Sequence, residues 1–349
     1  MLTAVGPVAL RRTYFNCGVC RQGDFGADRI LGITGYVTDA ARRVVCFLGV
    51  QQSFERTQRT LQETVGWKLD DETIRRLCHA TAADATASRE ERSTAERFAA
   101  ASGDWELQID AGKINTQEGW RDVKLAVFDR RERGEPSTAA QWDDRDLPAP
   151  TVRSVVSAVE EASAFGTRCA DEAKRLALTD PKQLSVLGDG AEWIWNLADR
   201  HFAGASGVLD IYHGDLYIAA GAKGALGEGH PQIEEQTERG RLRLLEDGYW
   251  GVSEWIGELT QHASIGGDGA ALGGVLNYFA GHQERLNYAL RLRRGQSIGS
   301  GLVEGSVKQL LNKRMKQTGA RWKTAQVGPF VELGALAFGP EWPAFWSNK

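Results

Sequence analysis

Three acids stand out by their setting. Asp110 closes an alternating run, with Trp105, Leu107 and Ile109 set against Glu106 and Gln108, whose period of two reads as a strand. Asp189 follows a short apolar stretch, Leu184–Leu187, that reads as a buried strand ending at Gly188. Glu304 lies near the start of a helix expected over Gly301–Thr318. Where strand order reverses in a parallel-type sheet, strand ends bring together groups remote in sequence. Three carboxylates gathered there repel one another, and divalent cations relieve that; an all-oxygen site suits Mg²⁺ or Mn²⁺. Two such ions, about 3.5–4 Å apart, can activate the attacking oxygen and stabilise the leaving oxygen of an in-line phosphodiester displacement. Each acid also has a plainer reading. Asp189-Gly190 is a turn dipeptide, Glu304 and Lys308 form an i, i+4 surface pair, and Asp110 starts a turn.

A phosphodiester substrate needs cations, and the chain carries them locally. The formal net charge is −4, yet Arg291–Lys323 holds nine basic residues against the single acid Glu304. Acids collect elsewhere, at Asp143, Asp144 and Asp146 and around Glu234. A basic stripe in an acidic chain fits a polyanion site on one face, the alternative being a solvated helix face. Lys308, Lys313, Arg314, Lys316 and Arg321 are candidates for phosphate contacts. A second basic candidate lies upstream. Gln52–Thr64 and Asp71–Ala82 have helical apolar spacing across a tight turn, and the second shows Arg75 and Arg76. That pair reads either as a DNA-binding helix-turn-helix or as a helical hairpin that only packs.

The elements that position these residues follow from changes of period. A β-like stretch at Val8–Phe15 precedes Cys17-x-x-Cys20, and Thr81–Ala101 reads as a solvated connecting helix. The strand ending at Asp110 is followed by a turn through Asn115–Gly119 and a partner strand carrying Val123, Leu125 and Val127. Arg130–Pro150 is a loop, Thr151–Leu178 and Ala191–Arg200 are helical, and Val208–Tyr212 is a strand. Leu216–Gly295 gives only helical signals, and the apolar Phe330–Trp346 segment reads as a packing cap. The fold class is therefore α/β, a sheet flanked by helices. Four stretches are expected: a mostly helical N-terminal domain (1–100), a first catalytic part (101–215), an all-helical insertion (216–295), and a final catalytic helix with cap (296–349).

Longer motifs are recognisable. Gln108-Ile-Asp110-Ala-Gly-Lys with Gly119-Trp-Arg-Asp-Val-Lys124 resembles the first catalytic block of bacterial insertion-sequence DDE transposases of the ISKra type. Leu187-Gly-Asp189-Gly-Ala-Glu-Trp-Ile-Trp-Asn196 resembles their second block. Gly299-Ser-Gly-Leu-Val-Glu304-Gly-Ser-Val-Lys308, running on through Lys313-Arg-Met-Lys-Gln-Thr-Gly-Ala-Arg-Trp322, resembles their third. Asp210-Ile-Tyr-His213 matches an Asp-x-x-His element of several transposase groups. Val8–Gly23, Gln52–Arg76 and Trp342–Trp346 extend the likeness over most of the chain.

The resemblance implies an RNase H-like mixed sheet interrupted by a helical insertion, with Asp110, Asp189 and Glu304 binding two Mg²⁺ or Mn²⁺ ions. It implies cleavage of DNA at transposon ends and transfer of the freed 3′-hydroxyl into target DNA. Asp210 and His213 are expected to support the site or position DNA. Trp193 and Trp195 are expected to pack their helix, with stacking on a flipped base as the other reading. The implied partner is double-stranded DNA, bound by a homodimer or larger assembly. Such transposases commonly carry more sequence, with further cysteines, before the Cys-x-x-Cys strand, so a shortened terminal-DNA-recognition module is expected here. The other readings are an RNase H-like nuclease without strand transfer and an inactive DNA-binding regulator.

Composition sets the remaining bounds. A structural zinc site normally needs four ligands, so zinc at Cys17 and Cys20 is not expected. Five cysteines do not suggest a disulfide scaffold. Met1–Leu10 lacks the pattern of a signal peptide, and the longest apolar run, Val44–Val50, falls far short of the ~20 residues of a membrane span. A cytoplasmic protein without a membrane partner is expected.

Overall fold

A computed structural model of the chain describes residues 1–31, 35–262 and 269–347. The fold is mixed α/β and divides into two compact units, each assembled from separate stretches of chain.

The first unit comprises Met1–Ser93, Lys113–Arg121 and Lys308–Lys349. It opens with two antiparallel ribbons, Leu2–Thr3 with Gly6–Pro7 and Tyr14–Asn16 with Gly23–Phe25. The second ribbon replaces the longer strand expected at Val8–Phe15, and exposed Cys17 and Cys20 sit in its turn. Three helices follow: α1 (Asp39–Gly49), α2 (Phe54–Val65) and α3 (Asp71–Ala87). Ser53 and Asp70 cap α2 and α3 by accepting backbone N–H groups. Gly66 ends α2 at a φ of 69°, a left-handed conformation that glycine adopts without steric penalty. The connecting helix expected over Thr81–Ala101 is interrupted. Helix α3 stops at Ala87 and a 3₁₀ turn follows at Arg89–Glu91. The helix Thr324–Ala337 packs on α3, and its Glu332 accepts from Arg89 and Arg92.

The second unit comprises Thr94–Gly112 and Asp122–Val307. Its five-stranded sheet is built from β1 (Asp104–Thr116), β2 (Gly119–Arg131), β3 (Val152–Ala158), β4 (Leu184–Gly188) and β5 (Ser206–Leu209), in the order β3-β2-β1-β4-β5. A two-residue connection makes β1 and β2 a hairpin. Strand β3 is antiparallel to β2, whereas β4 is parallel to β1 and β5 parallel to β4.

Strand β3 corrects the helix expected across Thr151–Leu178; only α4 (Ala162–Arg175) is helical there. Val152, Val155 and Val156 imitate helical spacing, but the buried set is Val152, Ser154, Val156 and Ala158. Burial of Ser154 conceals the period of two, and Glu172 of α4 accepts its hydroxyl at 2.5 Å.

Helix α5 (Glu192–His201) follows β4 and α6 (Ile211–Leu226) follows β5. Asp210 ends the expected strand Val208–Tyr212 early by capping α6. Helices α7 (Ile233–His262), kinked at Gly248, and α8 (Gly269–Ala280) pack with α6 around buried Leu244, Trp255 and Phe279. Helix α9 (Tyr288–Arg293) leads to α10 (Gly301–Ser306). The single helix expected over Gly301–Thr318 is therefore broken, since Val307–Asn312 is a π-helical turn. Among the described residues, no helix is long and apolar enough to cross a membrane.

Candidate metal centre

The acids meet at one edge of the sheet because of its register. The last β1–β4 pair is Ile109 with Gly188, so Asp110 and Asp189 are the next residues on two adjacent chains. Gly188 also pairs with Leu209, which brings Asp210 to the same edge. The Asp210 N–H donates to the Gly188 carbonyl at 2.8 Å, fixing that meeting point.

Asp110 is mid-strand rather than at a strand end, because β1 continues to Thr116. It lies instead where β4 stops covering β1. Its Oδ1 accepts the Ala111 N–H at 2.7 Å, and burial, reinforced by the charges of Asp189 and Asp210, raises its pKa. Asp189 accepts the Ala191 N–H at 2.8 Å, so it shapes the turn into α5 as well as facing the acids. The turn is tight, since a Cβ on Gly190 would meet the Tyr278 ring at 2.4 Å.

Asp210 is fully buried, which without partners would strongly disfavour its charge. It accepts from Tyr212 N–H at 2.8 Å and from Ser300 Oγ at 2.5 Å, and its Oδ2 lies 3.3 Å from His213 Nδ1. Burial alone would raise its pKa; the bonds from His213, Glu304 and Ser300 together hold it below the ordinary value. The Asp210 carboxylate in turn raises His213 to about 9. Glu304 Oε1 lies 3.9 Å from His213 Nδ1 and 3.5 Å from Ser300 Oγ. Burial, and then its hydrogen bond and repulsion with Asp210, push Glu304 up to about 7. Protonatable carboxyls crowded at a sheet edge are the electrostatic condition that a bound cation relieves.

The donor atoms of Asp210, His213 and Glu304 all lie within 4.8 Å of one another. Asp110 and Asp189 stand outside that trio but act on it electrostatically, Asp110 on Glu304 and Asp189 on His213. Sequence reasoning gave Asp210 and His213 a supporting place and overlooked two polar groups. Ser300 bridges toward both Asp210 and Glu304. Gln108, only 1% exposed, accepts the Leu302 and Val303 N–H groups at 3.1 and 3.3 Å and so ties the first turn of α10 to β1. The signal for Gln108 was available as an uncharged polar residue inside an apolar strand two positions before Asp110.

Trp195 packs as expected, buried, with its indole N–H donating to the Asp189 carbonyl at 2.9 Å. Trp193 is half-buried beside Phe165, with Lys124 Nζ 5.5 Å from its ring centre.

In the first unit, Lys308, Lys313, Lys316, Arg321 and Arg76 are exposed, and Arg75 is held in a bidentate pair by Glu72. Arg314 departs from expectation. It is 4% exposed, donates to the Gly49 carbonyl at 2.6 Å and lies over the rings of Phe54, Trp322 and Phe330. The aromatic cluster buries its charge, so Arg314 is a packing residue and is withdrawn from the phosphate contacts.

The carboxylate oxygens of the site are hard donors of the kind that fits Mg²⁺ or Mn²⁺. No protein-family model and no curated protein matches this chain.

Proposed function

We propose that this chain is a DDE-type DNA transposase whose second unit is an RNase H-like catalytic domain. The observation that carries the reading is the register that sets Asp110 beside Asp189, with the helix of Glu304 tied to the strand of Asp110 through Gln108. Three segments, with 79 residues from Asp110 to Asp189 and 115 from Asp189 to Glu304, meet there. A helical stretch between β5 and the helix bearing Glu304 supports an insertion within that domain.

Asp110, Asp189 and Glu304 would hold two Mg²⁺ or Mn²⁺ ions, which when bound supply charge compensation for an in-line phosphodiester displacement. Asp210 holds His213 as a cation beside Glu304, so the imidazolium faces the edge at which an anionic phosphate would arrive. Gln108 keeps the helix of Glu304 at a fixed height against the strand of Asp110. The tight Gly188-Asp189-Gly190 turn restricts the Asp189 carboxylate. The reaction would proceed by hydrolysis at the end of the element, followed by attack of the freed 3′-hydroxyl on target DNA at the same acids.

The test is Mn²⁺-dependent scission of supercoiled plasmid by the purified chain, with a strand-transfer assay on products bearing a 3′-hydroxyl. Loss of both activities in Asp189→Asn is the expected result. Scission that survives this substitution would overturn the reading, and scission without joining would replace it with a nuclease.

A further inference from the structure

The second unit carries a basic cavity at the opposite end of the same sheet. It occupies about 420 Å³ where β1, β4 and β5 begin, and Arg130, Arg133, Lys182, Arg291 and Arg294 line it with Asp104 as the acid. From Trp105 to Ile109, β1 rises about 13 Å, so this cavity and the carboxylate edge lie at opposite ends of the parallel strands. Arg291 and Arg294 belong to the basic stripe of the sequence, and the proposed transposase chemistry leaves them unused.

The cavity is a built site. Arg291 is 3% exposed and held rigidly, donating through Nε to the Ser297 carbonyl at 2.6 Å and through Nη1 to Ser185 Oγ at 3.1 Å. Arg130 donates to the Gly103 carbonyl at 2.9 Å, and its guanidinium lies 4.8 Å from the Trp105 ring centre. Asp104 is already taken, paired with Arg133 at 3.0 Å and accepting from Gln296 at 2.7 Å. Among the described residues, no carboxylate lies within ion-pair distance of Arg130, Lys182, Arg291 or Arg294. Burial lowers the Arg291 pKa to about 10 despite the attraction of Glu106 and Asp104, so its charge is under-compensated.

We propose that this cavity binds a multiply charged phosphate group, a function independent of the carboxylate edge. Preorganised guanidinium forks, an exposed ammonium and a serine hydroxyl are donors suited to phosphoryl oxygens. The volume exceeds that of a single phosphate, which points to a pyrophosphate moiety or to consecutive phosphates of a nucleic-acid strand. Low-dielectric walls with one sign of charge concentrate such anions, here on a chain of net negative charge.

The test is calorimetric titration of the full chain with inorganic pyrophosphate at low ionic strength and without divalent metal. Lys182→Glu/Arg294→Glu changes two exposed side chains and leaves the buried Arg291 in place. Lys223→Glu/Arg239→Glu, also exposed, makes the same charge change on α6 and α7, outside the cavity lining. Saturable one-to-one binding, weakened at least tenfold by the first pair and less than twofold by the second, is the expected result. Displacement of pyrophosphate by a short DNA duplex would assign the phosphates to a strand, and failure to displace it would assign them to a free ligand. No pyrophosphate binding, or equal weakening by both pairs, would overturn the proposal.

Discussion

Replacing Gln108 by Met tests whether one buried amide sets the height of the helix that bears Glu304. The side chain keeps its length and approximate volume, so the change is confined to hydrogen bonds. Leu302 N–H loses its acceptor at 3.1 Å, and Glu106 loses the amide donor at 3.2 Å. Val303 N–H retains the Ser300 carbonyl at 3.1 Å. A buried donor left unsatisfied costs about 1–3 kcal/mol and a lost bond about 1 kcal/mol, which gives about 2–4 kcal/mol in all. Urea unfolding of Gln108→Met should therefore show a lower midpoint at an unchanged slope. Amide exchange read at Leu302 gives the local counterpart, because its protection should fall while that of the β2–β3 ladder persists. A variant within about 0.5 kcal/mol of the parent, with Leu302 protection intact, would refute this reasoning.

Three further predictions concern the first unit. Burial, reinforced by the charges of Arg75 and Arg314, lowers the His79 pKa to about 4, so the unfolded chain binds the proton more tightly. Stability should be complete above pH 6.5 and decline as pH falls toward 4, by up to about 3 kcal/mol at ~1.36 kcal/mol per pH unit. His79→Phe should flatten that decline, and an unchanged pH profile would contradict it. Arg314→Met should alter stability by less than about 1 kcal/mol, since relief of charge burial offsets the lost ring contacts, whereas Arg314→Ala should lose about 3 kcal/mol through a cavity. DNA binding measured against salt should keep its slope in Arg314→Met and lose about one unit in Lys313→Ala.

The sequence disclosed those parts of the fold in which periodicity and burial agree. The hairpin around Asp110, the short strand before Asp189, the capped helices α2 and α3 and the helical stretch from Leu216 onward are of this kind. It concealed parts in which polar residues enter the core. Ser154 hid a strand, and Gln108 and Glu106, both buried, hid the fact that β1 is covered on two faces. Asp110 seemed to end a strand because Ala111, Gly112 and Lys113 break the alternation, although the hairpin continues through them. The central place of Asp210 was also beyond pattern reading. It arises from a backbone bond to Gly188 and a serine from a segment 90 residues away.

Mn²⁺ titration of the parent chain and of Asp110→Asn, Asp189→Asn, Glu304→Gln and Asp210→Asn bears most directly on where the ions sit. Saturable binding weakened at least tenfold by each of the first three substitutions is predicted. Undiminished binding in Asp110→Asn and Asp189→Asn, with loss in Asp210→Asn, would contradict it and move the cation to Asp210, His213 and Glu304.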